Sequence, residues 1–336
     1  MLTKGFVLFL LFSTLLADNG CTGPVQVRSE KDVNDIRHCQ TFEGSITIQN
    51  ASLGDEINLS QLQQVHGDLV FDNNPNMRQI ILASLRQITG QLKIQNNLEL
   101  KRLDLTQLGV VRSLEISVEP SLDAILFPSG LSQIESLTVT DTLANRIEGI
   151  MASEIKDIHI ANNKNLQKIN LSHLQQVGNM TIAANAVNAS LDISALTSIY
   201  HGDFRNLEKV IGLEKINQVT GGLSFVANGF SSLALPNVTR ITGTLTVSNN
   251  LQLGNLSVPH LALLGGALSL SNNSQLTEIK VPGLEQVDGT VDLTGNFDRV
   301  DLPSLKDVRA KTSHAIKSTS SKEVLPRAMN SPVNQT

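Results

Sequence analysis

The chain has 336 residues, a formal charge of −5 at pH 7, no Trp, one Tyr and only two Cys. Its charges are scattered with no basic stripe, which argues against nucleic acid as a partner. Sugar clefts often stack their ligand on aromatic rings, so the shortage of rings also weakens the case for a deep carbohydrate cleft.

Met1–Leu16 places Lys4 before the apolar run Gly5–Leu16, with Ala17 following. This reads as a secretory signal covering residues 1–17. The run is too short to span a bilayer, and no other stretch is long and apolar enough to do so. The product is therefore expected to be secreted, and Cys21 and Cys39 are expected to pair. They fall within residues 18–44, where Ser29 and Asp32 make a helix start. A disulfide-tied helical hairpin there would cover the open end of a strand stack. The Cys-x-x-Cys spacing of a redox pair is absent.

From 45 to 308 one phrase of about 22 residues recurs, in the form L-x-x-I-x-V-P-x-L-x-x-V-x-G-x-L-x-V-x-N-N. Ile48, Phe71, Ile94, Ile116, Val139, Ile160, Ile182, Phe204, Phe225, Val247, Leu270 and Leu293 mark successive copies at spacings of 21–23. A repeat this short cannot bury its own apolar residues, so its copies must stack. Within each copy apolar residues alternate with period two, as in Leu245-Thr246-Val247-Ser248, which is a strand with one buried face. The predicted fold is mainly β: a right-handed parallel β-solenoid of about twelve rungs. At parallel-strand spacing it would be a rod of roughly 55–60 Å.

Asn recurs two residues beyond the marker, at Asn50, Asn73, Asn96, Asn162, Asn206, Asn249 and Asn272. Asn tolerates a left-handed backbone and can bond main-chain groups, so these residues are expected to form a buried structural ladder. Recurrent glycines such as Gly67, Gly90 and Gly243 mark a corner needing positive φ or close approach. Two stretches are irregular. Few apolar residues lie between 141 and 155. Tyr200-His201-Gly202-Asp203 suggests a one-residue insertion, read as a bulge or a joint near 199–206 between two halves of the coil.

N-x-S/T sequons expected to carry glycans are Asn58, Asn170, Asn179, Asn188, Asn237 and Asn255. Asn50 and Asn272 are sequons too, but as ladder positions they are expected to be poorly glycosylated.

A search for chemistry finds little. A parallel β-coil also describes secreted polysaccharide-degrading enzymes, which need clustered carboxylates. The sequence has no Asp-Asp pair and no Gly-His-Gly; the nearest feature is the Tyr200–Asp203 segment. The His residues lack metal spacing and no Gly-x-Ser-x-Gly elbow occurs. No catalytic residue, metal or cofactor is assigned. The outward residues beside the markers offer a face on which Lys93, Glu115 and His159 could bind an adhesion or receptor-type ligand; taken singly, each is an ordinary solvent-facing strand residue.

The repeat pattern ends at Val308-Arg309, and 309–336 reads as a disordered polar tail. It has no apolar terminal segment, so a GPI anchor is not expected on this chain.

The block Cys21-Thr22-Gly23, Asp32-Val33, Cys39 and Phe42–Ile48, leading into Gly-x-Leu-x-Val-x-Asn-Asn rungs with Val-Pro-x-Leu corners at 258–261 and 281–284, resembles the fungal cell-wall-organisation family. This family comprises GPI-anchored, receptor-L-domain-like, leucine-rich proteins and includes sporulation-specific wall proteins. The resemblance covers about residues 21–308. It implies a non-enzymatic glycoprotein of the cell surface and wall that supports wall integrity, with wall polysaccharide or wall proteins as partners.

Overall fold

The computed structural model describes residues 20–309. Residues 1–17, read above as a secretory signal, and nearly all of the polar tail lie outside the described residues. Every pairing between named strands is parallel, and the partners sit one repeat apart. Each coil lays a strand on one large 20-stranded sheet, turns a corner, and adds a three-residue strand such as Glu56–Asn58 or Lys168–Asn170 to the opposite face. It returns through a tight turn in which a Leu N–H reaches back three residues, as from Leu62 to the Leu59 carbonyl.

The marker residues are all buried and fall in register, as in Ile48↔Phe71 and Phe204↔Phe225. Period-two alternation places them inward because opposite pleats face core and solvent. With roughly 1.5–3 kcal/mol available per fully buried aliphatic side chain, this central column is the main source of stability. It exists only because neighbouring coils cover each other.

The cap differs from a helical hairpin. Val25–Ser29 is a strand that pairs with Ile46–Ser52 and places Val27 opposite Ile48, giving about 13 turns in all. One helix follows, Glu30–Ile36. Ser29 begins it as N-cap, and both the backbone N–H and the hydroxyl of Ser29 donate to Asp32 Oδ2 at 2.9 Å. Val33 and Ile36 turn into the core. The Cys21–Cys39 disulfide ties the two ends of the cap together.

The segment around residue 200 is neither a joint nor an insertion. Ser198–Arg205 is one unbroken strand paired on both sides. What differs is the core. Gly202 occupies an inward position where the adjacent rungs have Met180 and Leu223. A Cβ added there would lie 2.7 Å from the Phe204 ring, which fills the vacated space and stacks on Phe225 at 5.3 Å between centroids. One inward side chain is missing, and the ring two residues on takes its space.

The real length change lies elsewhere. In the rung of Ile94, Ile88 and Gln91 are three apart; in the next, their partners Val111 and Ser113 are two apart. The lost residue returns at the rung of Phe225, where Ile199 pairs with Val219 but Gly202 pairs with Leu223. The rungs of Ile116, Val139, Ile160, Ile182 and Phe204 therefore have a corner one residue shorter, and those of Ile116, Ile160, Ile182 and Phe204 run as a single long strand through it. In the longer corners glycine is needed for close approach: a Cβ on Gly67 would meet the Gly44 carbonyl oxygen at 2.4 Å, and one on Gly243 the Gly221 carbonyl oxygen at 2.8 Å.

Candidate functional site

Two rows of side chains follow the marker strand, and they have separate jobs. Asn50, Asn73, Asn96, Asn162, Asn206, Asn249 and Asn272 sit at φ between 49° and 61°. They turn the corner, and none of them is buried. They do not form the buried ladder. Where the row lacks Asn, Val118, Ala184 and Ala227 hold the same left-handed turn. The ladder is made by the next residue: Asn74, Asn97, Asn163, Asn185, Asn228, Asn250 and Asn273. Asn250 is typical. Its Oδ1 accepts from the Asn228 N–H and Nδ2 at 2.8 and 3.1 Å, and its Nδ2 donates to the Phe225 carbonyl at 2.9 Å. The first Asn stays outside because a left-handed residue points its side chain away from the corner it makes. The exposure of Asn50 and Asn272 removes burial as a reason for poor glycosylation there.

Glu119 interrupts the ladder. It is fully buried, and its Oε1 accepts from the Asn97 N–H and Nδ2 at 3.0 and 2.9 Å. Its Oε2 is buried without a hydrogen-bond partner. Burial pushes the carboxyl up to about 8 and the charge of Asp72 adds to this, against the pull of the Asn97 hydrogen bonds. Each ladder Asn donates to the carbonyl of an earlier marker, as Asn97 does to Phe71 and Asn74 to Ile48. By register the corresponding carbonyl for Glu119 is that of Ile94, and a carboxylic acid proton can stand where the amide proton stands elsewhere. No signal in the spacing picked out Glu119; a carboxylate in an amide row was the signal available.

On the outer face Lys93 and Glu115 are directly opposed, with Nζ and Oε1 3.4 Å apart, and Gln91 Nε2 donates to the second carboxylate oxygen at 3.0 Å. They satisfy each other and leave little free charge for a ligand. His159 is exposed two rungs along the same row, beyond Thr138. The face therefore does not gather the three into one cluster. At the Tyr200–Asp203 segment, the Asp203 carboxylate is held by Arg205 Nε at 2.8 Å to both oxygens. The His38 ring lies 3.7 Å from Cys21 Sγ, but the disulfide with Cys39 engages both sulfurs, so this trio is not a metal centre.

The sequons fall into two kinds. Asn58 and Asn170 accept from the N–H of Ser60 and Ser172 at 3.1 Å, as Asp104 and Asp192 do from Thr106 and Ser194 at 3.0 Å. The Asn-Leu-Ser there is the repeat's own Asx turn, written with Asn instead of Asp. Asn179, Asn237 and Asn255 are exposed but donate their Nδ2 to Asp157, the Glu214 carbonyl and Ser232 respectively. Asn188 is exposed beside Val187.

A long concavity follows the shortened corners. It is a trough of about 850 Å³ running from Gln87 to Thr220, lined by Arg112, Glu135, Glu154, Lys156 and Tyr200 among others. Thr89 and Thr220, on the longer corners, line its two ends. Nothing in the residue types announced it; the one-residue difference in spacing did.

A coil of parallel strands with a buried amide row and a disulfide-tied cap defines a receptor-L-domain-like solenoid. The receptor L domain family matches residues 38–125. Cell wall protein ecm33 of Schizosaccharomyces pombe is 31% identical over 324 residues, 95% of this chain and 77% of that protein. Protein ecm33 of Aspergillus fumigatus is 27% identical over 69% of this chain, and a cell surface GPI-anchored protein of Arthroderma benhamiae 30% identical over 76%. The chain spans 58% and 65% of those two, under two thirds of each. The chain belongs to the family of the fission-yeast cell wall protein ecm33.

Proposed function

We propose that this protein is a non-enzymatic component of the fungal cell wall and cell surface that works by presenting its outer surfaces. The observation that carries this reading is the likeness to a cell wall protein along 95% of the chain, with further relatives named as cell-surface proteins. The physical character of the fold agrees. A rigid rod whose interior is spent on packing and amide rows offers long exposed faces, which suit organising other polymers. The six exposed or half-exposed sequons would add a hydrated coat in a secreted product. Fractionation of the native protein among medium, detergent-soluble membrane and wall-bound pools tests the reading. Recovery in the surface and wall pools is expected; recovery in the cell interior would overturn it. Release of reducing ends from wall polysaccharide by the purified protein, lost on Asp203→Ala, would overturn the non-enzymatic part.

A further inference from the structure

We propose that the trough over the shortened rungs seats one extended, uncharged polysaccharide chain lying along the solenoid axis. The inference rests on the wall reading and names the partner class within it.

The argument begins with length. From the rung of Ile94 to that of Phe225 the trough crosses six strand-to-strand steps, roughly 25–30 Å at parallel spacing. It is open and follows the stacking of the rungs, a shape for a linear polymer rather than a compact ligand. A ribbon-like β-1,4-linked polysaccharide advances per sugar by nearly the distance the coil advances per rung. Neighbouring sugars of such a ribbon face opposite ways, so alternate sugars can meet alternate rungs in the same way.

The lining chemistry selects an uncharged chain. Arg112 and Lys156 are balanced by Glu135 and Glu154, all four exposed. Among the described residues none of these four side chains has an ion-pair or hydrogen-bond partner. Net charge along the trough is near zero, so a polyanion or polycation gains no field there. What remains is alternating donors and acceptors at rung intervals. A sugar hydroxyl both donates and accepts, so a polyol satisfies both kinds.

The third element is Tyr200. It is the only Tyr of a chain without Trp, and it is 55% exposed. Phe42, Phe71, Phe127, Phe204, Phe225 and Phe297 are buried in the core. Tyr200 stands where the trough meets a second depression of about 380 Å³, floored by Gly221, Gly222 and Gly243. An amphipathic ring with a hydroxyl tip is thus placed where the two depressions meet, and a sugar face can lie on it.

The test is titration calorimetry of the purified full chain with three probes: hexamers of β-1,4-linked N-acetylglucosamine, β-1,4-linked glucose and β-1,3-linked glucose. The β-1,4 ribbons are expected to bind saturably, with affinity little changed between low and high salt because no net charge is matched. Tyr200→Ala should weaken binding at least tenfold and Tyr200→Phe less than threefold. Arg112→Ala and Lys156→Ala should each weaken it a few-fold, and Lys280→Ala, on the opposite face, should change nothing. Equal melting temperatures across the set confirm that folding is intact. The inference is overturned by no saturable binding of either ribbon, by binding indifferent to Tyr200→Ala, by steep loss in salt, or by preference for the β-1,3 hexamer. Binding only after Asn179→Gln would also overturn it, because the chain's own glycan would then be the occupant. Loss of ribbon binding with wall recovery intact removes this inference and leaves the wall reading standing.

Discussion

The rungs from Val219 to Thr294 and those from Val110 to Arg205 are written in the same phrase, yet they differ at three places. The later rungs keep the long glycine corner, an Asn at Asn228, Asn250 and Asn273, and an aliphatic inner column at Leu245, Leu268 and Val291. The earlier block drops a corner residue, places Glu119 and Thr142 in the buried row, and fills the space over Gly202 with the Phe204 ring. Regular rungs show what the coil needs in order to stand. The departures show where it is free to do something else, and the trough and Tyr200 both lie on the irregular block.

The comparison can be broken most severely in the regular part. Asn250→Ala leaves the Asn228 N–H, the Asn228 amide and the Phe225 carbonyl without their partner. At about 1–3 kcal/mol for each buried unsatisfied group, the expected loss is roughly 3–5 kcal/mol, read by denaturant unfolding. A loss below about 1 kcal/mol would mean the amide row is decorative.

In the irregular part the corresponding position titrates. The Glu119 carboxyl is raised from 4.5 to about 8 by burial. A group whose folded pKa is raised gives its stability in full below the unfolded value and loses it as pH climbs to the folded one. The protein should therefore weaken by about 1.4 kcal/mol per pH unit from Glu119 alone across that window. Glu119→Gln should flatten this slope and stand above the parent at pH 8. Parallel stability profiles for the two would sink the account of Glu119 as a neutral ladder member.

A smaller effect is expected in the core. Gly202→Leu overfills the space taken by Phe204 and should cost roughly 1–3 kcal/mol. Adding Phe204→Val should recover most of it, as measured by thermal melts of the single and double variants. The smallest effect belongs to the outer face. Lys93→Ala breaks a half-exposed ion pair with Glu115 and should cost under about 1 kcal/mol, less still at high salt.

The coil itself was legible in the sequence because period-two alternation and a 22-residue recurrence leave few alternatives for the chain. The disulfide was legible for a similar reason: the only two cysteines of the chain have one way to pair. The ladder was misplaced by one residue because most rungs carry Asn-Asn, and each Asn suits either job. Val118, Ala184 and Ala227 break the tie, since they keep the left-handed turn without an amide while Asn185 and Asn228 follow. Around residue 200 the expected insertion was a substitution in the core; marker spacing alone cannot separate those. The cap's strand was hidden in Val25–Ser29 because a single short alternation beside a helix start has no repeat to confirm it. The trough was not legible as residue types at all, because it arises from a missing residue repeated over neighbouring coils.

The central claim is that the shortened rungs, and not the regular ones, make the working surface. It is tested most directly by restoring the corner. One glycine inserted after Lys156 and one after Gly178 would lengthen two rungs at the middle of the trough while leaving their inward residues, Ile158 and Met180, and the ladder residues Asn163 and Asn185 in place. Retention of this variant on isolated fungal wall material is then compared with that of the parent and of a control with two glycines added at the outer turn after Ser274. The account predicts a melting temperature close to the parent and retention lost only in the trough variant. Equal retention by all three folded proteins would contradict it.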